Sequence, residues 1–300
     1  MKINTIIIFA FIWILFKLNL YSFTAKNVFI IIADQFRYDE SFGDKTHQYV
    51  PRMWKEMAPK GSYVVTFYGN PTFMAQVHLA TLTGSWDDVR RLDPKTNPDK
   101  PTIFEFYRKN LNKPIESCYF VTSKSEYYYL EYSNNEEYGE EFKPFFEKTK
   151  KEQDDDELFT MLVARMKTSK PSLVVVILGK MKSFNKKRKE DEMARYRKQL
   201  SETDELIYRI WNEIQNNPQY KNNTDLFFIN DHGDLITHED CDDECKRYLL
   251  ILGLGPDIKE NYVSQEKWRQ TNIFPTVLTI LGAQVKNKKD VMQDFFKVTK

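Results

Sequence analysis

The sequence predicts an α/β fold in which a mainly parallel central sheet is flanked by helices on both faces. Three observations predict it. From Asn27 onward, short apolar runs alternate with longer stretches of helical character, as strand–helix–strand units do. The runs are continuous and rich in β-branched and aromatic residues, which suits strands buried on both faces rather than strands with one wet face. Hydrophobic residues make up 41% of the 300 residues and aromatics 15%, enough to build the core of one large domain and too much for a disordered chain. A net charge of +1 provides no general field for nucleic acid, so no nucleic-acid partner is expected and recognition must be local.

Taken in order, residues 1–25 read as a signal peptide or signal anchor and residues 26–300 as the folded domain. Lys2 precedes an unbroken apolar run from Ile6 to Phe16, and Lys17 ends it. Such a run rises only about 16 Å as a helix, short of the roughly 30 Å of a bilayer core. Export to a periplasmic or extracellular space is expected, or tethering to a membrane through this segment alone. Ser22 and Ala25 are the small residues nearby, and neither makes a clean cleavage site. Strands are predicted at Val28–Ile32, Cys118–Val121, Leu173–Leu178, Leu226–Ile229 and Tyr248–Leu252. Helices are predicted at Pro51–Ala58, Gln76–Leu82, Thr102–Asn110, Asp156–Met166, Met193–Gln215 and Phe274–Leu281, with Pro101 and Pro275 where helix starts tolerate proline. Glu126–Lys151 lacks periodicity and reads as a surface excursion or lid. No internal repeat is present.

In open parallel sheets, ligands collect beyond the carboxyl ends of the strands. Asp34 follows the first strand there, and Asp231-His232-Gly233 follows the strand at Leu226–Ile229, with His238 six residues after His232. Carboxylates and imidazoles are ligands suited to zinc or a related divalent ion. His238, Cys241 and Cys245 also form an H-x2-C-x3-C spacing, which leaves a separate zinc site, a short-range disulfide and free thiols all open. Three cysteines in total cannot build a disulfide framework.

Taken together, these segments resemble the alkaline phosphatase superfamily, in particular its sulfatase-like and phosphodiesterase-like members. The resemblance is serial. Asn27 to Arg37 resembles the opening strand and first metal-ligand aspartate; Val50-Pro51-Arg52-Met53, then Phe67-Tyr68-Gly69-Asn70-Pro71-Thr72, resemble the approach to the nucleophile; and His78-Leu79-Ala80-Thr81-Leu82-Thr83-Gly84 resembles the helix that carries it. Thr203-Asp204-Glu205, Asp231-His232-Gly233, Leu252-Gly253-Leu254-Gly255-Pro256 and Ile273-Phe274-Pro275-Thr276 follow in the family's order. The resemblance implies metal ligation by Asp34, Asp231 and His232, with His238 from a second site, and one divalent ion (Zn, Ca, Mg or Mn). It also favours a loop after His238 in which cysteines pair.

The sequence departs from the family at two places. Ten positions before Gly84, where the resemblance puts a Ser, Thr or modified Cys nucleophile, stands Met74. A thioether has no proton to lose and forms no stable ester. Relatives also carry an Asp and a His after the strand at Leu173–Leu178; Lys182 and Lys186 occupy those vacated second-metal positions, or Met181 and Asn185 in the other frame. Ammonium groups cannot ligate a metal but can supply positive charge. The chain extends 18 residues beyond Gly282, and the expectation is that the C-terminal subdomain common in full-length sulfatases is missing. The expectation is a sulfatase-like domain without a nucleophile and with a partial metal site, noncatalytic or weakly active, binding a small anionic ester or anion. The alternative is a hydrolase of phosphate or sulfate esters that uses metal-bound water.

Overall fold

The computed structural model describes residues 22–67, 74–86, 96–124, 130–181, 189–231 and 248–297, with the backbone alone at 67, 74–76, 189 and 190. One eight-stranded sheet organises them. Its strands are β1 (Asn27–Ala33), β2 (Gly61–Phe67), β3 (Cys118–Thr122), β4 (Phe145–Lys148), β5 (Leu173–Leu178), β6 (Thr224–Asn230), β7 (Tyr248–Leu254) and β8 (Tyr262–Val263). Their spatial order is β4-β3-β5-β1-β6-β7-β2-β8. Neighbours pair in parallel except at β6–β7 and β2–β7, so β7 alone runs against the rest. The mainly parallel prediction therefore holds, and all five expected strands are present.

The helices are α1 (Met74–Thr83), α2 (Ile103–Asn110), α3 (Asp155–Thr168), α4 (Lys189–Asn216) and α5 (Ile273–Ile280). They divide between the two faces. Val28, Ile30 and Ile32 of β1 pack with Leu79 and Leu82 of α1, Phe104 of α2 and Val277 of α5. Phe29, Ile31 and Ala33 face the other way, into Leu158 and Leu162 of α3 and Leu200, Ile207 and Ile210 of α4. This period-2 alternation between two dry faces is why β1 reads as an unbroken apolar run. No helix among the described residues is long and apolar enough to cross a membrane.

The structure corrects three details. The stretch at Glu126–Lys151 is not wholly a surface excursion, because Phe145–Lys148 joins the sheet as β4, parallel to β3 at the edge. β2 was not expected either; its two central valines are flanked by polar and aromatic residues, so no apolar run announces it. The helix predicted at Pro51–Ala58 is a segment of changing pitch, wide at Met53–Met57 and tight at Ala58–Lys60. Asp204 of α4 caps its start, accepting from the backbone N–H of Arg52 and of Met53, both at 2.8 Å.

Candidate active site at the carboxyl edge of the sheet

β1 and β6 are adjacent and parallel, with Ala33 opposite Asn230, so Asp34 and Asp231 leave the sheet side by side. Both are fully buried. The Asp231 N–H continues the ladder to the Ala33 carbonyl at 3.2 Å. Its carboxylate then takes the chain after β1 in hand: Oδ1 accepts the Gln35 N–H at 2.7 Å. Gln35 has a φ of +57°, in the left-handed region where a side chain is disfavoured. A second contact holds it there. The Tyr196 hydroxyl on α4 donates to the Gln35 carbonyl and accepts the Arg37 N–H, each at 2.9 Å. Asn230 binds the same loop from below, donating to the Phe36 and Tyr248 carbonyls and accepting from Leu250 N–H at 2.7 Å.

Two further residues converge on these carboxylates, and the sequence did not single out either for this role. His78, fully buried on α1, brings Nε2 to 3.6 Å from Asp231 Oδ2, an electrostatic contact rather than a hydrogen bond. Lys124, two residues beyond β3, pairs its ammonium with Asp34 Oδ2. β5 lies between β3 and β1 in the sheet, so the lysine stem must cross the end of β5. Gly179 sits at that crossing. A Cβ there would stand 2.5 Å from Lys124 Cγ and 2.9 Å from Ser123 Oγ, so the missing side chain forms the slot through which the stem passes. Asp155, at the start of α3, fixes the slot by accepting from the Ser123 hydroxyl and from the N–H groups of Gly179 and Lys180, the latter two at 3.2 Å. Burial raises the Asp155 carboxyl above the usual range, partly offset by those donors.

Of the predicted site residues, the structure brings Asp34 and Asp231 together and starts α1 at Met74. His232, His238, Lys182, Lys186, Cys241 and Cys245 lie outside the described residues, as does Asn185. Met181 is buried in the core. Arg37 is no ordinary surface charge: it is buried and pairs with Glu40 at 3.0 Å and Asp39 at 3.8 Å. A divalent ion finds a poor donor set among these groups. One Asp34 oxygen carries an ammonium, one Asp231 oxygen accepts a backbone N–H and the other faces His78. Among the described residues, no group of three or more His, Cys, Asp and Glu side chains is arranged to hold a metal.

No family model matches the sequence, and no curated protein does. Solved structures do match. A protein in the alkaline phosphatase superfamily from Vibrio parahaemolyticus superposes with a TM-score of 0.66 at 13% identity, over 92% of this chain and 71% of that one. The fold is that of the alkaline phosphatase superfamily. The PsFucS1 sulfatase from Pseudoalteromonas sp. matches at a TM-score of 0.64 and 13% identity, over 91% of this chain and 70% of that one. The C-terminal periplasmic domain of the phosphoethanolamine transferase EptC from Campylobacter jejuni matches at 0.60 and 11%, over 87% and 91%. In this alkaline-phosphatase-like sheet, the carboxyl ends of β1 and β6 form the edge at which such open sheets bind ligands. The described groups there can pair charges and hold a proton. They include no hydroxyl or thiol free to attack, since the Ser123 hydroxyl is committed to Asp155.

Proposed function

We propose that this chain is a sulfatase-like domain without efficient catalysis, noncatalytic or weakly active, whose ligand is a small anionic ester or oxyanion. The observation that carries the reading is the residue that opens α1. His78 on this helix faces Asp231, and position 74 stands about one turn earlier on the same helix. Methionine there offers no atom that can form and release an ester bond. Fold alone never decides activity, so the weight rests on that residue, whose place in the site the resemblance supplies. Export, or tethering through residues 1–25, belongs to the same reading. It is supported by the leader-like apolar run and by the periplasmic domain among the similar structures.

The test is a screen of the purified chain against aryl phosphate, aryl sulfate and aryl phosphonate esters, with and without added divalent ions. Little or no turnover above blank is expected, with no dependence on the added ion. Metal-dependent turnover that vanishes in Asp231→Asn would reject the proposal and establish a hydrolase that uses metal-bound water.

A further inference from the structure

We propose that Lys124 is the resident cation of this site, standing against the carboxylate that the resemblance assigns to a divalent ion, so that the folded protein is independent of metal. Three observations bear on it. Asp34 is fully buried, and a bare carboxylate in such a place is strongly disfavoured unless a cation or a set of donors answers it. Asp34 Oδ1 has no hydrogen-bond partner among the described residues, so the Lys124 ammonium on Oδ2 is its principal compensation there. The lysine is built in rather than swung in from solvent: its side chain is only 12% exposed, and its stem runs through the slot that Gly179 leaves open.

A divalent ion on Asp34 would lie beside that ammonium. Like charges sharing one buried oxygen repel strongly, and the lysine can retreat only by leaving the slot held by Ser123, Asp155 and the N–H of Gly179. Ammonium has a single positive charge and three donors, no empty orbital and no exchangeable water. It can neutralise the carboxylate and anchor the end of β1 to the end of β3 across β5. This does not rest on the loss of catalysis, because metal dependence and ester turnover are separate measurements.

The experiment measures metal content and thermal stability of the full chain and three variants. Wild-type protein dialysed against Zn, Ca, Mg or Mn and then desalted is expected to hold far less than one equivalent of any of them, and EDTA is expected to leave Tm unchanged. Lys124→Ala is expected to lower Tm by roughly 6–10 °C, because it strands a buried charge. Gly179→Ala deletes no charge but closes the slot, and is expected to lower Tm in the same direction. Lys124→Ala combined with Asp34→Asn is expected to recover much of the loss, since neither charge then remains. One equivalent of bound metal in the wild type, or a fall in its Tm with EDTA, would overturn the proposal. An unchanged Tm in Lys124→Ala would do the same, as would a double variant no more stable than Lys124→Ala alone.

Discussion

Asp204 shows what a buried carboxylate does here when the neighbouring Arg52 charge is too weak to offset burial. It accepts two backbone N–H groups at the start of the segment at 51–60, yet burial outweighs them and pushes its carboxyl up to about 7. The folded state then keeps a proton that the unfolded chain gives up near pH ~3.9. The stabilisation is therefore complete below the unfolded value and is lost as pH rises toward 7, on the order of 4 kcal/mol across the window. A carboxyl carbon NMR titration should place Asp204 near neutrality, and a midpoint below pH ~5 would show that the two N–H donors win instead. Met74 carries a second prediction at this scale. Met74→Ser or Met74→Thr should still hydrolyse aryl phosphate no faster than buffer, because on the proposed reading the lysine on Asp34 and those at positions 182 and 186 leave the departing oxygen without a metal. Turnover restored by that single change would mean that the rest of the centre is intact.

Among the elements, α2 shows how a short helix is made to stay. Thr102 caps it, accepting the Glu105 N–H, while Glu105 Oε2 accepts the Thr102 N–H at 2.6 Å. The other oxygen of Glu105 reaches out of the helix to the Ser133 hydroxyl at 2.6 Å and the Gly139 N–H at 2.8 Å. One buried side chain thus caps α2 and fastens the chain that leads to β4. Glu105→Ala should cost roughly 3 kcal/mol, since several buried donors lose their acceptor together. In denaturant unfolding, the midpoint should fall accordingly, and limited proteolysis should find residues 133–139 cut faster. Equal cutting in both proteins would show that this segment is held by something else.

Legibility in the sequence followed burial. β1, β3, β5, β6 and β7 were readable because both of their faces are dry, which forces a continuous apolar run. β4 was hidden because it is an edge strand only partly buried, so its residues need not be apolar. The same logic divides the site. Asp34 and Asp231 stood out as polar residues immediately after apolar runs. Lys124 follows β3 by the same rule, through Thr122 and Ser123, but its role depends on a slot two strands wide that only Gly179 and the sheet order reveal. His78 lay inside an apolar helix motif, where nothing in the local sequence says which neighbour its ring will meet.

The molecule as a whole is closed at the edge opposite the site by a second buried acidic pair. Asp257, after β7, accepts the N–H groups of Thr24 at 2.8 Å and Ala25 at 2.7 Å, and so fastens the chain just before β1. Its own N–H reaches Asp225 Oδ1 at 3.4 Å. Asp225 is fully buried at the start of β6, packed so closely that a Cβ at Gly255 would lie 2.0 Å from its Oδ1. Burial first, and the neighbouring Asp257 charge second, raise the Asp225 carboxyl well above the ordinary range. The sign is that of Asp204: the folded state holds the extra proton, so stability is greatest below the unfolded value and declines as pH climbs through the folded one. Asp44 and Glu56 are shifted downward and act in the opposite sense, losing their contribution as pH falls, but both are on the surface. Asp225→Asn keeps the shape and an acceptor for the Asp257 N–H, and it offers Asp257 a permanent donor in place of a proton. Its Tm should match the wild type near pH 4, where Asp225 is protonated in any case, and exceed it by a margin that widens toward pH 8. A difference that stays constant across that range would show that Asp225 does not govern the pH dependence of the fold.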